Sequence, residues 1–405
     1  MKKIELHHRM FFDGKQLVLD LVRDDGLFVV ANTGGWTISK NVSCKFIRYP
    51  HSSPLPLPDT NGSVLELLPF LNIHDEYDQI LVICWLIASL VTTIPRAILC
   101  FHGSPGSAKT SQATMLKNLV DPSYEGGLYI RNKEDEMALL LAQSAMPFFD
   151  NLTTVTKAIE NMLCMAATGG GYKKRKLYTD SNSVQYRFKK PIIMTGINIP
   201  YDAQDLMDRT ISIELSRISE EKRRYETEVM ESFEAAKPRI LGGMLNVFCG
   251  AMRRLPTMQL IHRPRMADFA LWISAIAEEI GEANGFSAVK AQTAMLRALD
   301  RGYKSSIAGD KLILALIDFL DVHEKDGHRE ITGSVSQCHV AFTQHVMVIN
   351  RSADFIPSTP QLFSQVLKKY IPVLEVNGWI LKFSENRKHG RFLTFTKAPQ
   401  IHNPS

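Results

Sequence analysis

Residues 102–111 read HGSPGSAKTS. Gly103, Lys109 and Thr110 have the spacing of a phosphate-binding loop, G-x-x-x-x-G-K-[ST], with Ala108 at the place of the second glycine. Such a loop wraps backbone N–H groups around a β-phosphate, while its lysine reaches the β- and γ-phosphates and its hydroxyl holds Mg²⁺. Ala108 keeps the N–H and adds one methyl, so only backbone conformation is at stake there. Gly103, Ser104, Pro105, Gly106, Ser107, Ala108, Lys109 and Thr110 are therefore read as the ATP-binding loop, with Thr110 also on the metal. The bland reading is a Gly-Pro turn. Context argues against it: residues 97–101 (AILCF) form an apolar, strand-like run and residues 111–119 (SQATMLKNL) a helix, which gives an anion a helix N-terminus.

A P-loop enzyme needs a second acidic group on the metal at the end of a neighbouring strand. Residues 145–151 (AMPFFDN) supply an apolar run ending in Asp150, the expected second Mg²⁺ ligand. The next residue, where a carboxylate base is expected, is Asn151, whose amide orients water but accepts no proton at neutral pH. Slow hydrolysis or another carboxylate, such as Glu134, would follow. Residues 191–198 (PIIMTGIN) form a further apolar run ending in Asn198, suited to the γ-phosphate or the attacking water. Arg209, in DLMDRTISIEL, is placed either as a finger to a neighbouring subunit's γ-phosphate or as a surface partner of Asp205 or Asp208.

These groups need an α/β scaffold, and the chain has the means to build one. It has 405 residues, 45% hydrophobic and 22% charged, enough for several cores. Six scattered cysteines, with no C-x-x-C pair, indicate neither zinc nor a disulfide framework and fit a reducing, cytoplasmic setting. The uncharged run 80–95 carries Ser, Thr and a final Pro and reads as a buried helix rather than a membrane span. The organisation expected is a β-rich segment with a Pro-rich linker (1–75), an α/β core (76–217), a helical lid (218–305) and a winged helix (306–405).

Net charge is only +5, but it is clustered. Residues 172–190 hold seven Lys or Arg against one Asp, and residues 351–400 eight against three acids, which is the pattern of phosphate-contacting surfaces or of solvated faces. In the last segment a helix at 361–370, strands at 379–383 and 391–395 and a basic turn between them would bring Lys368, Lys369, Arg387 and Lys388 to DNA, or serve protein contacts.

The P-loop, FFDN, MLCMAATGGGYKKRKLYTDSN, QYRFKKPIIMTGIN and DLMDRT, in that order, resemble the AAA+ ATPases of bacteriophages and integrated mobile elements, related to phage primase-helicases and superfamily 3 helicases. The likeness covers roughly residues 15–220. It implies sensor 1 at Asn198, a ring-forming homo-oligomer of six subunits, and a β-hairpin that grips single-stranded or forked DNA. That hairpin is expected over residues 177–188, flanked by Lys173, Lys174, Arg175, Lys176, Arg187, Lys189 and Lys190, although its apparent tip (179–183) has no lysine. Three functions fit: an ATP-driven DNA translocase or helicase of a mobile element, an ATP-dependent DNA-binding switch or loader with slow turnover, and a defence or regulatory ATPase.

Overall fold

A computed structural model describes residues 5–130, 133–175, 183–198, 203–261, 263–307, 311–350, 354–386 and 390–398. The chain forms two compact units, Met1–Leu299 and Asp300–Ser405. The first opens with a parallel pair, β1 (Leu6–His7) and β6 (Lys45–Phe46), around an antiparallel meander of β2 (Met10–Phe12), β3 (Leu17–Asp20), β4 (Phe28–Asn32) and β5 (Gly35–Ser39). Next comes α1 (Glu76–Ala88), capped by Asp75 and buried along its whole second half, with Trp85 Nε1 donating to Ala97 O at 2.6 Å. That burial explains the uncharged run. Among the described residues no helix is long and apolar enough to cross a membrane.

The central sheet is mixed into an α/β unit by the elements that follow: β7 (Ile98–His102), α2 (Lys109–Val120), α3 (Glu134–Gln143), β8 (Phe148–Leu152), α4 (Lys157–Thr168), β9 (Gly170–Arg175), β10 (Ser183–Phe188), β11 (Ile193–Gly196), α5 (Gln204–Met207) and β12 (Thr210–Glu214). Four strands lie in the order β12-β7-β11-β8, all parallel, with Leu99 opposite both Ile193 and Ile211. β7 and β11 are buried at every position, which is why they read as continuous apolar runs rather than alternating ones. The parallel arrangement brings the carboxyl ends of all four strands to one edge, where ligands bind in open α/β sheets. Leu128 extends the β8 side by a parallel bridge to Phe149.

β9 and β10 form a separate antiparallel hairpin, Ser183 opposite Arg175 and Phe188 opposite Gly170. Its first strand begins upstream of the expected 177–188 segment, because the run Gly169-Gly170-Gly171 ends α4 and turns directly into extended chain. Lys176 and the expected tip lie outside the described residues.

Helices α6 (Glu226–Arg254), α7 (Ala267–Ile280) and α8 (Ala288–Ile307) follow, and up to residue 299 they share one hydrophobic core with the N-terminal meander, α1 and the central sheet. α6 fits against residues 59–64 without space for side chains: a Cβ on Gly242 would overlap Asp59 O, and one on Gly243 would overlap Val64 N. The second unit contains α9 (Lys311–Lys325), β13 (Glu330–Ser334), α10 (Val335–Asn350), α11 (Pro360–Lys369), α12 (Ile371–Val376), β14 (Trp379–Asn386) and β15 (Gly390–Lys397). Its sheet has the antiparallel order β13-β15-β14.

A buried carboxylate ties the first unit together. Asp121, just past α2, accepts from Arg9 Nε at 3.2 Å, Lys117 Nζ at 3.3 Å, Ser144 Oγ at 3.1 Å and the amides of Ala145 and Met146 at 2.8 and 3.0 Å. Arg9 also donates to Ser53 O and Pro122 O, each at 2.9 Å. Burial pushes the Asp121 carboxyl up, but Lys117, Arg9 and His8 outweigh it and hold the group far below the ordinary carboxylate range. Its depressed folded-state pKa means that its contribution is complete above the unfolded value of about 4 and is lost as pH falls below it. Asp121→Asn is expected to cost about 3–5 kcal/mol near neutral pH by leaving buried cations uncompensated. In denaturant titrations across pH, the gap between parent and variant should narrow below about pH 4; a gap independent of pH would show that Asp121 is neutral in the fold.

Candidate nucleotide-binding site

The loop between β7 and α2 is held open by neighbouring backbone. Gly103 N donates to Ile197 O at 3.0 Å, Leu215 N to His102 O at 2.8 Å and Ile218 N to Gly106 O at 3.1 Å. A Cβ at Gly103 would overlap Leu215 O, so only glycine allows this approach at its φ of 137°. Ala108 lies in the left-handed region, φ 59° and ψ 30°, as the residue before the first turn of α2. The methyl costs about 1–2 kcal/mol there, partly offset by the lower unfolded-state entropy of alanine. The helix starts at Lys109 rather than at 111, which places Lys109 and Thr110 in its first turn.

From Gly106 to Ser111, the backbone N–H groups donate to no acceptor among the described residues. A run of orphan donors at a helix N-terminus is a cradle for phosphate oxygens. Lys109 Nζ spans the loop to Gly103 O at 2.8 Å, Ser104 O at 2.9 Å and Ser107 Oγ at 3.2 Å. Burial lowers the Lys109 pKa, against the pull of Asp150.

Asp150, at the carboxyl end of β8, meets Thr110 Oγ1 at 3.0 Å. Thr195 of β11 donates its hydroxyl to Asp150 and accepts from Asn151 N at 2.9 Å. β11 lies between β7 and β8, so its hydroxyl is positioned by strand order alone. Thr110 and Asp150 thus present the hydroxyl and carboxylate oxygens that a hard divalent cation takes, together with phosphate and water. Asn151 is exposed and adopts φ 53°. Asparagine tolerates this left-handed conformation better than other non-glycine residues, which gives a backbone reason for its presence. Asn198 is exposed beside Ile197, whose carbonyl holds Gly103, so it stands at the same edge as the loop. Glu134 is exposed at the start of α3.

Other residues support the site that the sequence alone does not reveal. Asn72 Nδ2 bridges Ser107 O at 3.2 Å and Ser216 O at 2.8 Å, and its own N–H donates to Gln112 Oε1 at 2.9 Å. Thr195 carried a weak signal, the only hydroxyl in the run PIIMTGIN. Asn72 carried none. A cavity of about 530 Å³ opens from Ala108 and Gln112, with Phe70, His74, Met115 and Met230 on its apolar side.

Arg209 stands elsewhere. It precedes Thr210, which pairs with Ile98 at the opposite end of β7 from the loop, about 13 Å away at 3.3 Å per residue. Its side chain is 14% exposed and ion-paired with Asp205, while Arg265 bridges Asp205 and Asp208, the latter at 2.8 Å. The basic residues also divide. Lys173 and Arg187 are exposed on the hairpin, and Lys174 and Arg175 lie in β9. Lys189 instead turns to Thr93 O at 2.7 Å. Half-buried Lys190 is drawn down to about 8 by burial, against Asp121. Lys189 thus ties the end of the hairpin to the segment before β7. Lys368 and Lys369 are exposed on the last turn of α11, with Lys368 Nζ 5.5 Å from the Phe383 ring centre, and Arg387 and Lys388 fall outside the described residues.

Because Thr195 orients Asp150, Thr195→Val is expected to weaken Mg²⁺-dependent nucleotide binding by about 10- to 100-fold, the usual cost of removing a metal ligand's orienting partner. A Mg²⁺ titration of nucleotide affinity checks this; an unchanged Mg²⁺ dependence would remove Thr195 from the site.

No curated protein matches the chain. Among solved structures, an apo structure of the NrS-1 C-terminal region aligns at 12% identity and TM-score 0.43, over 92% of this chain and 94% of that one. A second apo form aligns at 13% and 0.42, over 95% and 96%. A JCV helicase structure with a bound thiazolopyridine compound aligns at 14% and 0.26, over 53% and 65%. The profile for actinomycete integrative conjugative element replication proteins matches residues 64–301, which include the loop, Asp150, Asn198 and the hairpin. The chain belongs to that family of mobile-element replication proteins.

Proposed function

We propose that the chain is an ATP-driven, ring-forming DNA translocase that acts as a replicative helicase. The observation that carries this reading is the run of unpartnered amide N–H groups from Gly106 to Ser111, closed by Lys109 and facing the Thr110–Asp150 pair. Backbone donors, a cation and a hard-metal oxygen pair are what a nucleoside triphosphate with Mg²⁺ requires. Membership in a replication family supports DNA as the second ligand.

In this reading the loop amides and Lys109 hold the β- and γ-phosphates, and Thr110 and Asp150 hold Mg²⁺. The metal, when bound, neutralises charge on the transferred phosphoryl group. Asn198 and Asn151 orient the attacking water from the same sheet edge. Neither amide takes its proton, so turnover is slow unless a carboxylate such as Glu134 approaches. Arg209 is too far from its own loop to serve it, so a catalytic role requires the loop of a neighbouring copy and release from Asp205. The ring, of six copies in the resemblance, is part of this reading.

Lys173 and Arg187, exposed on the hairpin, are the proposed strand contacts, with Lys174, Arg175 and Lys176 alongside. The second unit, with α10 and α11 beside the β14–β15 hairpin, is read as a winged helix that contacts DNA phosphates through Lys368, Lys369, Arg387 and Lys388. Helices α6 and α7 would be the lid. The second reading, an ATP-dependent DNA-binding switch, is favoured by Asn151, which supplies no base.

Forked DNA with Mg²⁺ and ATP separates the two. Strand displacement by the parent, abolished in Lys109→Ala, is the expected result; ATP-dependent binding without displacement would establish the switch. Lys173→Ala with Arg187→Ala should reduce the slope of log affinity against log salt by about one to two, since two phosphate contacts are lost. An unchanged slope would place the DNA path elsewhere.

A further inference from the structure

The segment after β12, residues 215–224, reads LSRISEEKRR and crosses the phosphate loop as a strap. It is fastened at three points: Leu215 N to His102 O at 2.8 Å, Ile218 N to Gly106 O at 3.1 Å, and Ser216 O to Asn72 Nδ2 at 2.8 Å. Asn72 also holds Ser107 O, so strap and loop share one side chain. At Gly106, where a Cβ would point, the nearest atoms are Arg223 Nη2 at 3.6 Å and Arg217 Cγ and Nε at 3.9 Å. Two arginines of the same chain therefore flank Gly106.

Arginines of this chain differ in pairing. Arg9, Arg48, Arg209, Arg239, Arg254 and Arg265 each hold a carboxylate. Arg217 and Arg223 are exposed and hold none among the described residues, although Glu220 and Glu221 lie between them. Two guanidinium groups with no ion-pair partner among the described residues thus lie beside unpartnered amides, while the nearby carboxylates are engaged by hydroxyls, Glu226 by Ser111 Oγ at 3.1 Å and Asp150 by Thr110 Oγ1 at 3.0 Å. The planar guanidinium fork matches phosphate oxygens.

We propose that Arg217 and Arg223 are phosphate-binding residues that grip the outer phosphates of a nucleoside triphosphate in the same subunit as Lys109. This rests on the nucleotide reading above and extends it: the loop lysine is one of three cations in cis, and the strap makes the site selective for triphosphate over diphosphate. It also assigns a charge to the outer phosphates that does not depend on a neighbouring copy.

Titration of the full chain with ATP, ADP and adenosine, with Mg²⁺, tests it. The double variant Arg217→Ala/Arg223→Ala is expected to bind ATP about 10- to 100-fold more weakly, the loss of one or more charge-assisted bonds. ADP should lose less and adenosine should not change. Arg217→Lys/Arg223→Lys should recover part of the ATP affinity, which a structural role would not predict. ATP affinity within twofold of the parent, or an equal loss for ATP, ADP and adenosine, would overturn the proposal while leaving the loop assignment intact, provided that Lys109→Ala loses ATP. A parent chain that binds no ATP would remove both.

Discussion

The shape of the loop at 103–108 depends on close backbone contact with the strands on either side. Gly103 is bonded to Ile197, which follows β11, and lies too near Leu215 for any side chain; Gly106 is bonded to Ile218 beyond β12. The loop is therefore a product of strand order. Because β7 lies between β12 and β11, both flanking chains reach it at their carboxyl ends, and its own amides are left pointing at open space. The same order places Thr195 between the loop and Asp150. At the far end of α2, the Asp121 network fixes the helix to the N-terminal segment and to the start of β8. One buried carboxylate thus sets the spacing between the two chain segments that carry Lys109 and Asp150.

The chemistry legible in the sequence is the part encoded over short distances. A loop motif between an apolar run and a helix identified 103–110, and an apolar run ending in an acid identified Asp150. Strand and helix limits there shifted by one or two residues: β7 covers 98–102 and α2 starts at Lys109. What the sequence hid was created by tertiary contact. Asn72 lies far from the loop in the chain and carries no local mark, and Arg217 and Arg223 look like part of a charged linker until β12 brings them over Gly106. The hairpin starts earlier than the expected 177–188, since β9 begins at Gly170, directly after the Gly169 cap of α4. β13, a five-residue strand with Gly at its fourth position, gave too short a pattern to read.

The basic residues illustrate why composition alone does not draw an interface. Residues 172–190 form one cationic run in sequence, yet the fold turns Lys189 to a main-chain carbonyl and leaves Lys190 half-buried. Lys173 and Arg187 remain outside. Arg209 shows the same separation of sequence from role: it is isolated from its own loop by the length of β7 and held by Asp205, so its energetics in one copy are those of a half-buried ion pair. A catalytic part for it is meaningful only between copies.

The central claim is that the amides of residues 106–111 and Lys109 hold the phosphates of a nucleotide. Calorimetric titration of the full chain with ATP and Mg²⁺, against adenosine at equal concentration, measures the phosphate contribution directly. The account predicts that ATP binds at least about 100-fold more tightly than adenosine, as several charge-assisted bonds require. Equal affinity for the two, or no binding of ATP, would contradict it.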